Sequence, residues 1–144
     1  MSDAARPLPV VVLISGTGSN LRAIAAQASA GTLPVTIRAV ISDRADSAGL
    51  AWARDAGFAT VALSPRDFPD RPSYDRALAE AVARFEPGLV VLAGFMRILG
   101  PEFVDRFAGR LLNIHPSLLP AYRGLHTHRR VLEAGDPVHG ASVH

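Results

Sequence analysis

The chain has 144 residues, 49% of them hydrophobic, which suits one domain with one core rather than a disordered chain. The formal net charge is only +2, so no basic tail of the kind that binds nucleic acid is expected. Cysteine is absent, which excludes disulfides and thiolate catalysis and fits a cytoplasmic protein, and no apolar run approaches the ~20 residues of a membrane span.

Segments typical of strands and helices alternate along the chain. Aliphatic and β-branched runs predict strands at residues 10–14, 35–42, 59–63, 89–93, 110–114 and 140–144. Helices are predicted at residues 20–30, 46–56, 73–85, 101–107 and 127–134, with Gly31 and Gly57 as stops and Ser73 or a neighbour as the third cap. Residues 1–9 are expected to form a disordered leader, and residues 10–144 a single domain.

This alternation predicts an α/β fold with a doubly wound, mostly parallel sheet and helices on both faces. Ligands of such sheets bind outside the carboxyl ends of the strands. The segments at that edge are residues 15–20, 42–46, 94–99 and 113–117.

The first candidate site is the glycine loop Gly16-Thr17-Gly18-Ser19-Asn20-Leu21 between a buried strand and a helix. Its glycines and the free N–H groups of the helix favour an anion. Leu21 stands where the dinucleotide fingerprint has its third glycine, so a single phosphate is favoured over a pyrophosphate. Two alternatives stay open: nucleotide binding helped by Asp43, and a tight turn with Ser19 or Asn20 as the cap.

The second candidate site is the segment Leu112-Asn113-Ile114-His115-Pro116-Ser117-Leu118-Leu119-Pro120. Strand alternation sends Asn113 and His115 to one face at a strand end. An amide beside an imidazole can stabilise an oxyanion and move a proton, which favours direct transfer over a covalent intermediate. The alternative is a hydrogen-bonded structural pair.

Two further groups of residues lie near the predicted ligand-binding edge or carry metal-binding side chains. The loop Gly94-Phe95-Met96-Arg97-Ile98-Leu99 can form the wall of a pocket for a flat ring, although periodicity alone favours core packing of Phe95, Met96 and Leu99. His126 and His128 are two residues apart and have no nearby carboxylate, so no metal site is expected.

Together these motifs resemble the phosphoribosylglycinamide formyltransferase family. The resemblance covers nearly all of the chain after residue 9 and includes residues 91–99, 109–120 and 122–128 and the terminal Gly140-Ala141-Ser142-Val143-His144. The Asn-Ile-His-Pro-Ser-Leu-Leu-Pro signature is shared by the wider formyltransferase superfamily. Formyltetrahydrofolate hydrolases of that fold usually carry a second histidine where Pro116 stands, and have an extra N-terminal domain.

The resemblance implies transfer of a formyl group from 10-formyltetrahydrofolate, a cosubstrate, to glycinamide ribonucleotide in purine biosynthesis, without a metal. It implies that Gly18, Ser19 and Asn20 hold the nucleotide phosphate and that Asn113 and His115 are catalytic. The implied folate contacts are Arg71, Met96, Arg97, Ile98, Leu99 and Asn113. The implied oligomeric state is a monomer or a homodimer.

The family's third catalytic residue is an aspartate in a loop beyond the Ser-Val-His strand, and this sequence ends before that loop. The C-terminal part of the fold is therefore expected to be absent, and the polypeptide is expected to have little transferase activity. Alternatives are a non-catalytic folate- or phosphate-binding fragment, a formyltetrahydrofolate hydrolase, and a nucleotide-binding oxidoreductase or deacetylating hydrolase.

Overall fold

The computed structural model of the protein describes residues 6–115 and 142–143, and not the side chains of His115, Ser142 and Val143. The strands are β1 (Leu8–Ile14), β2 (Val35–Ser42), β3 (Thr60–Ala62), β4 (Leu89–Ala93), β5 (Leu111–His115) and β6 (Ser142–Val143). The helices are α1 (Ser19–Ser29), α2 (Ala48–Asp55), α3 (Arg71–Ala83) and α4 (Pro101–Arg106), with a short 3-10 helix at Pro65–Asp67. No helix in this described part is long and apolar enough to cross a membrane.

The strands form one sheet in the order β3-β2-β1-β4-β5-β6. The first five are parallel, whereas β6 pairs with β5 in the antiparallel direction, with His115 opposite Ser142. The order reverses between β1 and β4, which lie side by side although far apart in sequence. The predicted doubly wound, mostly parallel sheet is confirmed.

Helices cover both faces of the sheet, and each face has its own core cluster. On one face, Val11, Leu13 and Ile41 pack with residues of α3 and α4, among them Phe103. On the other face, the intervening strand residues pack with Leu21 of α1 and with Leu50 and Ala53 of α2. Because β1 is buried on both faces, its residues from Val10 to Ile14 are all apolar.

Several boundaries differ from the sequence prediction. Strand β1 begins at Leu8, because Leu8 and Pro9 pair with the start of β2; these two residues therefore belong to the sheet and not to the predicted leader. Helix α3 begins at Arg71 rather than near residue 73, because Asp70 is the cap and its Oδ1 accepts a hydrogen bond from the Ser73 amide at 2.8 Å. The predicted helix at 127–134 lies outside the described residues.

Candidate active site

The site is built at the point where the strand order reverses. In sheets of this kind a crevice opens there, because the chain leaves neighbouring strands in opposite directions. Here the strands are β1 and β4, which lead into the glycine loop and into residues 94–100, called the β4–α4 loop below. The hydroxyl oxygen of Ser15, directly after β1, accepts a hydrogen bond from the Met96 amide at 2.8 Å. The two loops are therefore joined at the switch point.

The N-terminus of helix α1 is open to an anion. Its N-cap is Gly18, whose φ of +74° is in the left-handed region, and no side chain in the described part of the chain caps the helix. Ser19 and Asn20 are exposed within the first turn. The alternative in which Ser19 or Asn20 is the cap is therefore wrong. Within the described residues, no side chain caps the first N–H groups of this 11-residue helix, and the positive end of the helix dipole lies there.

Sequence reasoning missed Gly49, in the first turn of α2, which closes the back of the glycine loop. Its amide donates to the Gly16 carbonyl oxygen at 2.9 Å. A Cβ added at Gly49 would lie 2.6 Å from Cδ1 of Ile14 and 3.0 Å from Cα of Gly18. The close approach of α2 to the glycine loop favours glycine at this position. The sequence signal for it is a glycine inside a helix, where glycine is otherwise unfavourable.

The β4–α4 loop presents a short exposed segment between two anchored ends. Phe95 and Leu99 are half-buried and pack against the α3–α4 core cluster. Between them, Met96 is 59% exposed and Ile98 is 75% exposed. The prediction of core packing is correct for Phe95 and Leu99. It is wrong for Met96, because the loop turns outward after Gly94, whose φ is +77°.

Three side chains from different elements hold this loop. Ser15 binds the Met96 amide as described, and the buried carboxylate of Asp75 on α3 accepts from the Gly100 amide at 2.9 Å. Asp43, directly after β2, accepts from Nε of Arg97 at 3.1 Å. Asp43 is thus joined to the β4–α4 loop.

Arg97 lines three clefts in the described part of the chain, and two of them contain a further residue of the predicted folate contacts. The first, the glycine-loop cleft, has a volume of about 360 Å³ and is lined by Ser15, Gly16, Asp43, Arg44, Met96 and Arg97. The second, the α3 cleft, has a volume of about 250 Å³ and is lined by Pro65, Phe68, Asp70, Arg71, Tyr74, Asp75, Arg97 and Ile98. The structure thus brings Arg71 together with Arg97 and Ile98, as the folate assignment requires.

The floor of the α3 cleft contains Tyr74, whose hydroxyl donates to the Leu63 carbonyl oxygen at 2.8 Å. Burial raises the pKa of the Tyr74 hydroxyl, and the charge of Asp43 raises this pKa further. Tyr74 therefore remains a neutral hydrogen-bond donor at any physiological pH.

Asn113 lies on β5, next to β4 in the sheet, with its Cα opposite Leu92. Leu111 packs against the α3–α4 cluster and Ile114 against the other, so alternation places half-buried Asn113 on the α3–α4 face. His115 is the last residue of β5. Its side chain lies outside the described residues, so the pairing of its imidazole with Asn113 stays a prediction.

The expected absence of a metal site stays a prediction. Within residues 6–115 and 142–143, no group of three or more His, Cys, Asp or Glu residues is arranged to hold a metal ion. His126 and His128 lie outside these ranges.

Comparison with known proteins agrees with this geometry. A family model described as formyl transferase matches residues 8–144. The chain is 57% identical over 135 residues to the phosphoribosylglycinamide formyltransferase of Escherichia coli (strain K12), covering 94% of this chain and 64% of that protein. The alignment with the Haemophilus influenzae enzyme of the same name has 44% identity and the same two coverages. The chain thus spans about 64% of the length of these curated relatives.

Solved structures show the same similarity. The phosphoribosylglycinamide formyltransferase of Coxiella burnetii superposes with a TM-score of 0.91 at 51% identity, over 96% of this chain and 65% of that one. The Brucella melitensis enzyme superposes with a TM-score of 0.90 at 44% identity, over 96% of this chain and 72% of that one.

Proposed function

Because the chain belongs to the formyl transferase family, we propose that it transfers the formyl group of 10-formyltetrahydrofolate to the amino group of 5-phosphoribosylglycinamide in purine biosynthesis. The observation that carries this proposal is the hydrogen bond between Ser15 and Met96. It holds an open helix N-terminus, suited to a phosphate, beside an exposed and partly apolar loop, suited to a heteroaromatic ring. The two ligands of a transfer reaction are thereby brought to one edge of the sheet.

The nucleotide phosphate is assigned to Gly18, Ser19 and Asn20. Outward N–H groups of a helix and the positive end of its dipole attract an anion without needing a basic side chain. The open first turn of α1 supports this assignment.

The folate is assigned to Met96, Arg97, Ile98, Leu99, Arg71 and Asn113. A pterin ring has a polar edge, which exposed backbone groups of the β4–α4 loop can read. A folate also carries carboxylates on its glutamate, and the guanidinium of Arg71 in the α3 cleft can bind them. Arg97 contributes through its main chain, because its guanidinium is paired with Asp43. Leu99 contributes through packing, since it is half-buried against the core.

The chemical step is assigned to Asn113 and His115. The amine of the nucleotide attacks the formyl carbon, a new C–N bond forms, and the bond between that carbon and N10 of the folate breaks. His115 donates a proton to N10, and the proton that the attacking amine loses restores the protonated His115, so that the step balances. The Asn113 amide stabilises the tetrahedral oxyanion, a contribution whose removal typically costs about 3 kcal/mol of barrier. In this proposal the reaction uses no metal.

The test is formation of formylated glycinamide ribonucleotide, detected by mass spectrometry after the protein is mixed with both substrates. Whatever rate this polypeptide reaches, Asn113→Ala should lower kcat about a hundredfold or more, with a smaller change in KM. Gln27→Ala, which removes an exposed amide on α1, is the control and should retain the rate. Calorimetry with each substrate measures binding separately, and binding without product formation would favour the alternative of a binding fragment. A protein that binds neither substrate would overturn the proposal.

We also propose that the binding partners of the protein are these two small molecules, and that it acts in the cytoplasm as a monomer or a homodimer. Binding of reduced nicotinamide would favour the oxidoreductase alternative. Release of free formate from 10-formyltetrahydrofolate in the absence of the nucleotide would favour the alternative of a formyltetrahydrofolate hydrolase.

A further inference from the structure

We propose that Asp43 is a positioning residue that sets the conformation of the β4–α4 loop through the guanidinium of Arg97. This inference rests on the proposed folate site, because the same loop is assigned to the folate. Asp43 directly follows β2 and is not among the residues assigned to either substrate.

The buried carboxylate of Asp43 needs a positively charged partner to offset the loss of hydration. Its side chain is 3% exposed, and its Oδ2 accepts from Nε of Arg97 at 3.1 Å. Its other oxygen, Oδ1, is buried and has no hydrogen-bond partner in the described part of the chain. A carboxylate taken out of water needs a compensating charge, so the position of Asp43 strongly favours a conformation in which Arg97 reaches it.

The side chain of Arg97 provides a further anchor for the β4–α4 loop. The Ser15 hydroxyl holds the Met96 amide and the Asp75 carboxylate holds the Gly100 amide. Arg97 lies between these anchors, and its side chain is 51% exposed, so without Asp43 it would adopt many rotamers in water. The ion pair therefore fixes the middle of the loop from β2.

The ion pair also has a consequence for the two clefts. Both the glycine-loop cleft and the α3 cleft are lined by Arg97, and Asp43 lines only the first. While the Arg97 guanidinium is paired with Asp43, it is not free to bind a ligand. The ligand can then contact the neighbouring main-chain groups of Met96 and Ile98. Loss of Asp43 would release a free cation into both clefts.

The experiment is a double-mutant cycle on the ligand-free and folate-bound protein. Asp43→Asn preserves shape and removes the charge, and Arg97→Met removes the partner. With tetrahydrofolate as the calorimetric probe, we expect Asp43→Asn to raise Kd about tenfold in the wild-type background and less than about twofold in the Arg97→Met background. Asp46→Asn is the matched control, since that carboxylate is 78% exposed, and should leave Kd unchanged. Glycinamide ribonucleotide binding should not weaken in either aspartate variant.

Hydrogen exchange makes the inference independent of the folate assignment. In the ligand-free protein, Asp43→Asn should speed exchange of amides in residues 96–99 and leave strands β1 and β4 protected. Equal effects of Asp43→Asn in both backgrounds, or unchanged exchange in this loop, would overturn the positioning role. If the wild-type protein does not bind tetrahydrofolate but Asp43→Asn still speeds exchange in this loop, the proposed function is contradicted and the positioning role remains supported.

Discussion

The amide nitrogen of Gly49 lies 2.9 Å from the carbonyl oxygen of Gly16, which joins the first turn of α2 directly to the glycine loop. Helix α2 thereby closes the back of the loop, while the N-terminus of α1 stays open in front. The backbone of the glycine loop is thus held by a residue more than thirty positions away in the sequence.

Gly49→Ala should damage this loop. The new methyl group would lie 3.0 Å from two backbone atoms, the Gly16 carbonyl oxygen and Cα of Gly18, and 2.6 Å from Cδ1 of Ile14. Because the backbone atoms cannot rotate away, overpacking of this kind costs about 1–3 kcal/mol of unfolding free energy. Urea denaturation measures that loss, and calorimetry should show weaker glycinamide ribonucleotide binding. Gly16→Ala is the control for stability, because nothing lies within 4 Å of its added Cβ. Equal stability of the two variants would contradict the close contact.

Ser19→Asp should separate phosphate binding from helix stability. An acidic residue in the first turn of a helix is favourable, so the melting temperature should not fall. The same charge beside a bound phosphate is repulsive, and glycinamide ribonucleotide affinity should drop about tenfold or more. Tetrahydrofolate affinity should stay within about twofold. Ser29→Asp places the charge at the other end of α1 and should leave both affinities unchanged. Unchanged nucleotide affinity in Ser19→Asp would move the phosphate site elsewhere.

Local sequence signals predicted most of the fold because each strand or helix carries its own pattern. The apolar run from Val10 to Ile14 indicated a strand covered on both faces, and α1 and α2 do cover one face while α3 and α4 cover the other. The start of α3 was misplaced although Asp70 followed by Pro72 is a typical helix start, with Pro in the first turn.

The contacts that shape the site could not be predicted in the same way. Asp43 and Arg97 are 54 residues apart, and Ser15 and Met96 are 81 apart. Their pairing follows from the strand order, which puts β2, β1 and β4 side by side. Sequence alone identified the glycine loop and the β4–α4 loop as ligand-binding segments, but gave no reason why Asp43 should be buried.

Arg71→Ala should weaken folate binding through charge. Arg71 is an exposed residue at the start of α3 that lines the same cleft as Arg97 and Ile98. Loss of a charge-assisted contact to a carboxylate should raise Kd for tetrahydrofolate about tenfold, and less at high salt. Arg84→Ala, at the other end of the same helix, is the matched control. If both variants lose the same affinity, the effect is a general one of protein charge and Arg71 makes no specific contact.

The Tyr74 hydroxyl should make stability fall at alkaline pH. In the folded protein burial raises its pKa, whereas in the unfolded chain a tyrosine ionises near about pH 10. Above about pH 10 the unfolded state therefore releases a proton that the native state retains, and the unfolding free energy declines as pH rises. The contribution is fully present below the unfolded pKa. With no lysine and only two tyrosines in the chain, few other groups titrate there.

Tyr74→Phe isolates this effect. Phenylalanine retains the edge-on ring contact with Phe68 and removes the hydrogen bond to the Leu63 carbonyl oxygen. At about pH 8 the variant should be about 0.5–1.5 kcal/mol less stable in urea denaturation. Because the variant has no hydroxyl to keep protonated, its stability should decline less steeply between about pH 9 and about pH 11, so the two curves should converge. Parallel curves would mean that the native hydroxyl ionises as readily as that of the unfolded chain, and that burial does not hold it neutral.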